Sequence, residues 1–165
     1  MKIRIEHQYI GAALMQIAEH PQFTAINSLK IKDQPVNNAF KINNNTGLLC
    51  KYASEPNANG EYLFTFNAEQ MENIKSMHKH NEKLFFALTC IEDKEICVLS
   101  YEQFSQLIEN RNKSAKVIEE QYQIIVTAEQ GASLRAYVNA AGKKGKYAGK
   151  PLVIPRKSFP ELLFG

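Results

Sequence analysis

The apolar positions of this chain fall into two spacings, and together they predict an alternation of helices with short strands. Ile10, Ala13, Leu14, Ile17 and Ala18 recur at helical intervals, so residues 7–19 form one amphipathic helix that Pro21 ends. Phe23 to Lys32 reads as a strand or an irregular crossing segment, and Asp33-Gln34-Pro35 as a turn. Strands are expected at Asn38–Ile42, Leu48–Ala53 and Tyr62–Phe66. An Asn-rich turn ending in Gly47 separates the first two, and a loop from Ser54 to Gly60 the last two. Three successive strands with short connections predict an antiparallel meander.

Asn67 with Gln70 has the form of a capping box, and the helix it opens runs to His80 with Met71, Ile74, Met77 and His78 on one side. Leu84 to Ile91 is apolar except for Thr89, as expected of a central strand buried on both faces. Four charged residues from Glu92 to Glu95 lead into Ile96–Ser100, so the pair reads as a hairpin. Placing Ile91 opposite Ile96 sets Cys90 against Cys97. Ser100 with Gln103 caps a further helix whose stripe is Phe104, Leu107 and Ile108. Asn110–Lys116 is a polar, basic break and the expected internal boundary. Beyond it Tyr122–Thr127 and Ser133–Val138 are strands, Ala141–Lys150 a glycine- and lysine-rich mobile loop, and Leu152–Pro155 an edge strand. Ser158–Phe164 forms a last short turn. The fold class is therefore α+β: a mixed central sheet with flanking helices in residues 1–110, and a β-rich extension in 111–165 packed on it within a single domain.

Composition narrows the class without naming an activity. The chain has 165 residues, 44% hydrophobic and 22% charged, which is ordinary for a globular domain. No apolar run reaches the ~20 residues of a membrane helix, and the N-terminus lacks the apolar core of a secretion signal, so a cytoplasmic protein with no membrane partner is expected. Three cysteines, without a CxxC, fit a reducing compartment, and Cys90 and Cys97 read as core filler. Net charge is +3, but residues 111–165 carry ten Lys or Arg against four Glu. That asymmetry has two readings, a polyanion-facing surface and a solvated lysine-rich face.

Phosphate-binding loops, the dinucleotide fingerprint, HExxH and GxSxG are absent. His78 and His80 lie two apart on a helix, roughly 200° around it, and do not form a metal site. The order of elements, with Gly11-Ala12-Ala13-Leu14 in the first helix and Gly47-Leu48-Leu49-Cys50-Lys51-Tyr52 in the meander, resembles the core of the PD-(D/E)XK restriction-endonuclease-like nucleases. The resemblance covers residues 7–110. It implies a divalent-cation site in which an Asp and a Glu-x-Lys on the meander hold the metal and support the attacking water. In this chain Leu49 stands in the glutamate place and Lys51 in the lysine place, and the preceding strand offers no Asp. Lys51 alone carries over, so a degenerate, non-catalytic scaffold with no cofactor is expected.

Three functions remain open. One is binding of nucleic acid or a nucleotide through Lys51, Arg135, Lys143, Lys144, Lys146, Lys150, Arg156 and Lys157, with Tyr137 and Tyr147 for stacking. Another is a protein-interaction or assembly role, with a protein partner or as a homo-oligomer. The resemblance implies a bacterial or phage setting in defence or counter-defence for both. The third is a metal-dependent nuclease in which Asp33, Glu55 or Glu61 supplies a displaced carboxylate.

Overall fold

In a computed structural model covering residues 1–165, with only the backbone of Lys144 described, the chain opens with helix α1 (Ile5–Ala18). The predicted stripe packs as expected: Ile10, Ala13 and Ile17 are buried. Strands β1 (Ile26–Ile31), β2 (Gln34–Ile42) and β3 (Thr46–Ala53) follow as an antiparallel meander. The turns that join them are set by residues that tolerate a left-handed backbone. Lys32 and Asp33 hold φ of 50° and 64°, and Asn43 and Asn44 hold 52° and 67°.

The next strand, β4 (Glu61–Phe66), departs from expectation. It leaves the meander and joins a second sheet, because its Tyr62, Phe64 and Phe66 bury against strands from the end of the chain. Helix α2 (Ala68–His80) then leads to β5 (Lys83–Cys90), which lies parallel to β3, and β6 (Glu95–Ser100) completes the hairpin. The first sheet runs β1-β2-β3-β5-β6. As expected of a central strand, β5 is buried on both faces: Leu84, Phe86, Leu88 and Cys90 enter one core, Phe85 and Ala87 the other. The hairpin register is corrected. Cys90 pairs with Glu95 and Cys97 with Leu88, because the loop spans Ile91–Lys94 and closes through Lys94 at φ 55°.

Helix α3 (Tyr101–Ala115) runs straight through position 110, so the expected break at Asn110–Lys116 is helix up to a left-handed cap at Lys116. Strands β7 (Tyr122–Thr127) and β8 (Leu134–Tyr137) come next. The supposed loop after them is partly ordered as a two-stranded ribbon of β9 (Asn139–Ala140) and β10 (Lys143–Tyr147). Strand β11 (Leu152–Ile154) sits at one edge of the second sheet, which runs β11-β8-β7-β4 and is antiparallel throughout. Two single 3-10 turns end the chain.

The first sheet is thus covered on both faces. On one side lie α1, Phe159 and Leu163; on the other lie α2, α3 and the second sheet. Phe66, Phe86 and Phe104 join strand, sheet and helix there, with ring centroids 4.2 Å apart for the stacked Phe86–Phe104 pair. No helix among the described residues is long and apolar enough to cross a membrane.

Candidate functional site

Two places compete for function: the meander around Lys51, and the outer face of the second sheet. Lys51 projects from β3 toward the side carrying α2 and β4. Its ammonium donates to the Thr65 carbonyl and, at 3.3 Å, to Gln70 Oε1, and it lies 4.6 Å from the centre of the Phe66 ring. Gln70 Oε1 also accepts the Asn67 amide in the capping box of α2. Lys51 is therefore committed inside the fold, and burial holds its pKa below the ordinary lysine value. That removes it from the expected phosphate-contacting set.

The donors around Lys51 do not fit a divalent cation. Leu49 is buried in the core beside it, and the adjoining cleft of about 500 Å³ is lined by amides, with Glu69 its single carboxylate. The displaced candidates do not converge on the lysine. Asp33 is in the β1–β2 turn and Glu55 in the β3–β4 loop. Glu61 lies four residues along β4 from Thr65, roughly 13 Å away at strand rise. Among the described residues no three His, Cys, Asp or Glu side chains group as a metal site.

The basic C-terminal residues separate into structural and exposed groups. Arg156 is structural, which corrects the expectation that it faces a ligand. It pairs with Glu95 at 3.0 Å and donates to the carbonyls of Ala132 and Glu129, tying the β7–β8 turn to the start of β6. Lys157 is exposed in the turn Arg156–Ser158, away from the groove described next. Lys143 and Lys146 are exposed on β10, Lys150 just beyond it, and Arg135 on β8. The Lys144 side chain lies outside the described residues.

The exposed group borders a groove of about 1210 Å³ over the outer face of the second sheet. Its floor is built by register. Val153, Arg135, Thr127 and Glu61 stand side by side across β11, β8, β7 and β4, and Tyr137, Ile125 and Leu63 form the next row. The ribbon makes one wall with Gly145 and Tyr147, whose ring meets that of Tyr137 edge-to-face at 4.7 Å. Arg111 fixes the ribbon from below, binding both oxygens of Glu119 and the Asn139 carbonyl. The Tyr137 hydroxyl donates to Glu61 Oε2, and Asn57 Nδ2 donates to Oε1 at 3.1 Å. Burial and the Glu61 carboxylate push the Tyr137 phenol well up from its ordinary value.

Sequence reasoning brought Arg135, Tyr137 and Tyr147 together as a basic, aromatic set, and the fold places all three in this groove. It missed Asp93 and Glu129, which also line it. Both belong to turns remote in sequence, and no spacing or motif marks them. Compared with protein-family models, with curated proteins and with solved structures, this chain has no match.

Proposed function

We propose that this is a cytoplasmic protein that binds nucleic acid or a nucleotide without cleaving it. The observation that carries the reading is the mixture of an exposed aromatic with exposed lysines along the ribbon wall. Gly145 and Tyr147 face the groove that holds Arg135, while Lys143, Lys146 and Lys150 flank them on the exposed rim. A backbone-tracking row of cations beside an exposed aromatic is the combination that holds single strands, since every base has a stackable face and every linkage a charge. Direct phosphate contact would come from the rim lysines and Lys157. The donor set around Lys51 supports binding without cleavage, and what supports a nuclease-like scaffold is the run of a leading helix, a three-stranded meander, and a helix leading on to the strand beside it.

The test is fluorescence anisotropy with single- and double-stranded DNA and RNA over a salt series. Single strands should bind at ~50 mM salt, and affinity should fall linearly on a log–log plot. The combined variant Lys143→Glu, Lys146→Glu, Lys150→Glu should abolish binding while the fold persists. Absence of binding at ~50 mM salt, where phosphate contacts are strongest, sinks the reading. Cleavage in added Mg²⁺ would revive the displaced-carboxylate nuclease.

A second reading, docking of a protein partner or a second copy, draws on Ile3, Ile5 and Met15, which are 70%, 53% and 62% exposed at and along α1. Light scattering that finds a strict monomer, with no partner captured from the host, counts against it.

A further inference from the structure

We propose that the groove on the second sheet receives a single unstacked guanine, with Glu61 and Arg135 reading its two edges. The proposal rests on the nucleic-acid reading and names the base that reading leaves open.

Among the described residues, Glu61, Asp93 and Glu129 line the groove against one cation, Arg135, and that balance disfavours phosphate in its interior. The lysines sit outside on the rim. A strand held by those lysines therefore presents its uncharged part, the base, to the groove.

Glu61 and Arg135 both stand directly opposite Thr127, one strand to each side. Directly opposed residues share a face, and adjacent strands lie ~4.8 Å apart, which separates the two backbones by about 10 Å. That span admits one purine above Thr127 with a carboxylate at one edge and a guanidinium at the other. Leu63 and Ile125 floor the neighbouring row, and the Tyr147 ring, 56% exposed on the wall, is available to stack.

Asn57 and Tyr137 each donate to one oxygen of Glu61. A carboxylate offers about four acceptor positions, so about two remain, held in orientation by those bonds. Arg135 makes no ion pair or hydrogen bond through its side chain among the described residues. Guanine presents adjacent donors, N1–H and N2–H2, to a carboxylate, and the acceptors O6 and N7 to arginine. Adenine and cytosine put an acceptor beside their amino group on the edge that would meet Glu61, and uracil flanks one N–H with two carbonyls. Guanine alone satisfies both ends of the site.

The experiment measures anisotropy of labelled ten-nucleotide RNAs, all uridine except for one central position that is G, A, C or U, at ~100 mM salt. The G-containing strand should bind about ten-fold or more tightly than the others, with inosine, which lacks the N2 amine, in between. Glu61→Gln and Arg135→Lys should each bring the G-containing strand down to the affinity that the same variant shows for the all-uridine strand. Arg135→Lys alters an exposed side chain, so it reads the site even where Glu61→Gln disturbs folding. The same variants with free GMP separate a mononucleotide from a strand, since charge reversal of the rim lysines should weaken the oligonucleotide far more. Equal affinity for all four bases overturns the guanine site and leaves the nucleic-acid reading standing. A guanine preference unmoved by both variants overturns the assignment to this groove. Absence of binding to any strand or to GMP overturns both readings.

Discussion

Lys51 shows how one side chain can be spent on architecture. It projects from the first sheet and gives a donor to the Thr65 carbonyl on β4, the outermost strand of the second sheet. The same ammonium engages the capping glutamine of α2, so it binds two sheets and a helix at one point. Hydrogen bonds to charged groups contribute about 1.5–3 kcal/mol each, and removing the donor takes that partner from both acceptors, leaving Gln70 Oε1 only its bond from the Asn67 amide. Lys51→Met should therefore lower stability by about 1–3 kcal/mol, read as a reduced urea midpoint at unchanged slope, and leave strand binding intact. A loss of binding with unchanged stability would return Lys51 to the interface. The three thiols are equally structural: burial pushes Cys50 and Cys90 up to about 12, and Cys97 higher still, from an ordinary 9.0. A raised pKa in the folded state means that the unfolded chain loses its thiol protons first. Their contribution is complete below pH ~9 and is lost as pH rises from there through about 12. Urea midpoints should fall steadily above pH ~9, and less steeply in Cys97→Ala. The sequence marked Cys90 and Cys97 as core residues from their apolar neighbours. The register that decides what each one faces depended on the loop, which local composition leaves free to slip.

At the scale of elements, the local signals were strong where a short-range interaction supplies them. Asn67 with Gln70 and Ser100 with Gln103 form reciprocal capping boxes, each bond closing within three residues. Asn43, read as a turn residue, does more than turn. Its side-chain oxygen accepts from the Thr24 and Ala25 amides and its nitrogen donates to the Gln22 carbonyl, pinning the segment after α1. The ribbon was hidden because glycine and lysine carry no strand pattern, and its order comes from packing on α3. Gly149 shows the contact: at φ 73° an added Cβ would sit 2.5 Å from Asn110 Nδ2. Gly149→Ala should cost about 1–3 kcal/mol by urea titration and weaken strand binding through a displaced ribbon. Gly145→Ala has the same backbone strain at φ 76° with open space around it, and should cost only about 1 kcal/mol. Equal losses for the two would remove the packing argument.

For the whole molecule, the decisive event is the crossing of β4 from the meander to the strands of residues 122–154. The two halves expected on either side of position 110 share this strand, the helix α3 and one core. Tyr62 extends the bond to the first sheet, its hydroxyl meeting the Asp93 carboxylate in the β5–β6 loop. A fragment of residues 1–110 should fail to fold, since β4 would lose β7 and expose Tyr62, Phe64 and Phe66. An amide spectrum of that fragment with native-like dispersion would overturn the claim. By itself the sequence determined the helices with their caps, the turns built on left-handed asparagines, the doubly buried strand β5 and the basic end of the chain. Each of these follows from interactions within a few residues or from composition. Only the tertiary structure decided which sheet β4 joins, how the hairpin aligns, and that Lys51 and Arg156 are bound internally while Arg135 stands in a groove. Strand pairing and the fate of a charge depend on neighbours remote along the chain, and no local pattern carries that information.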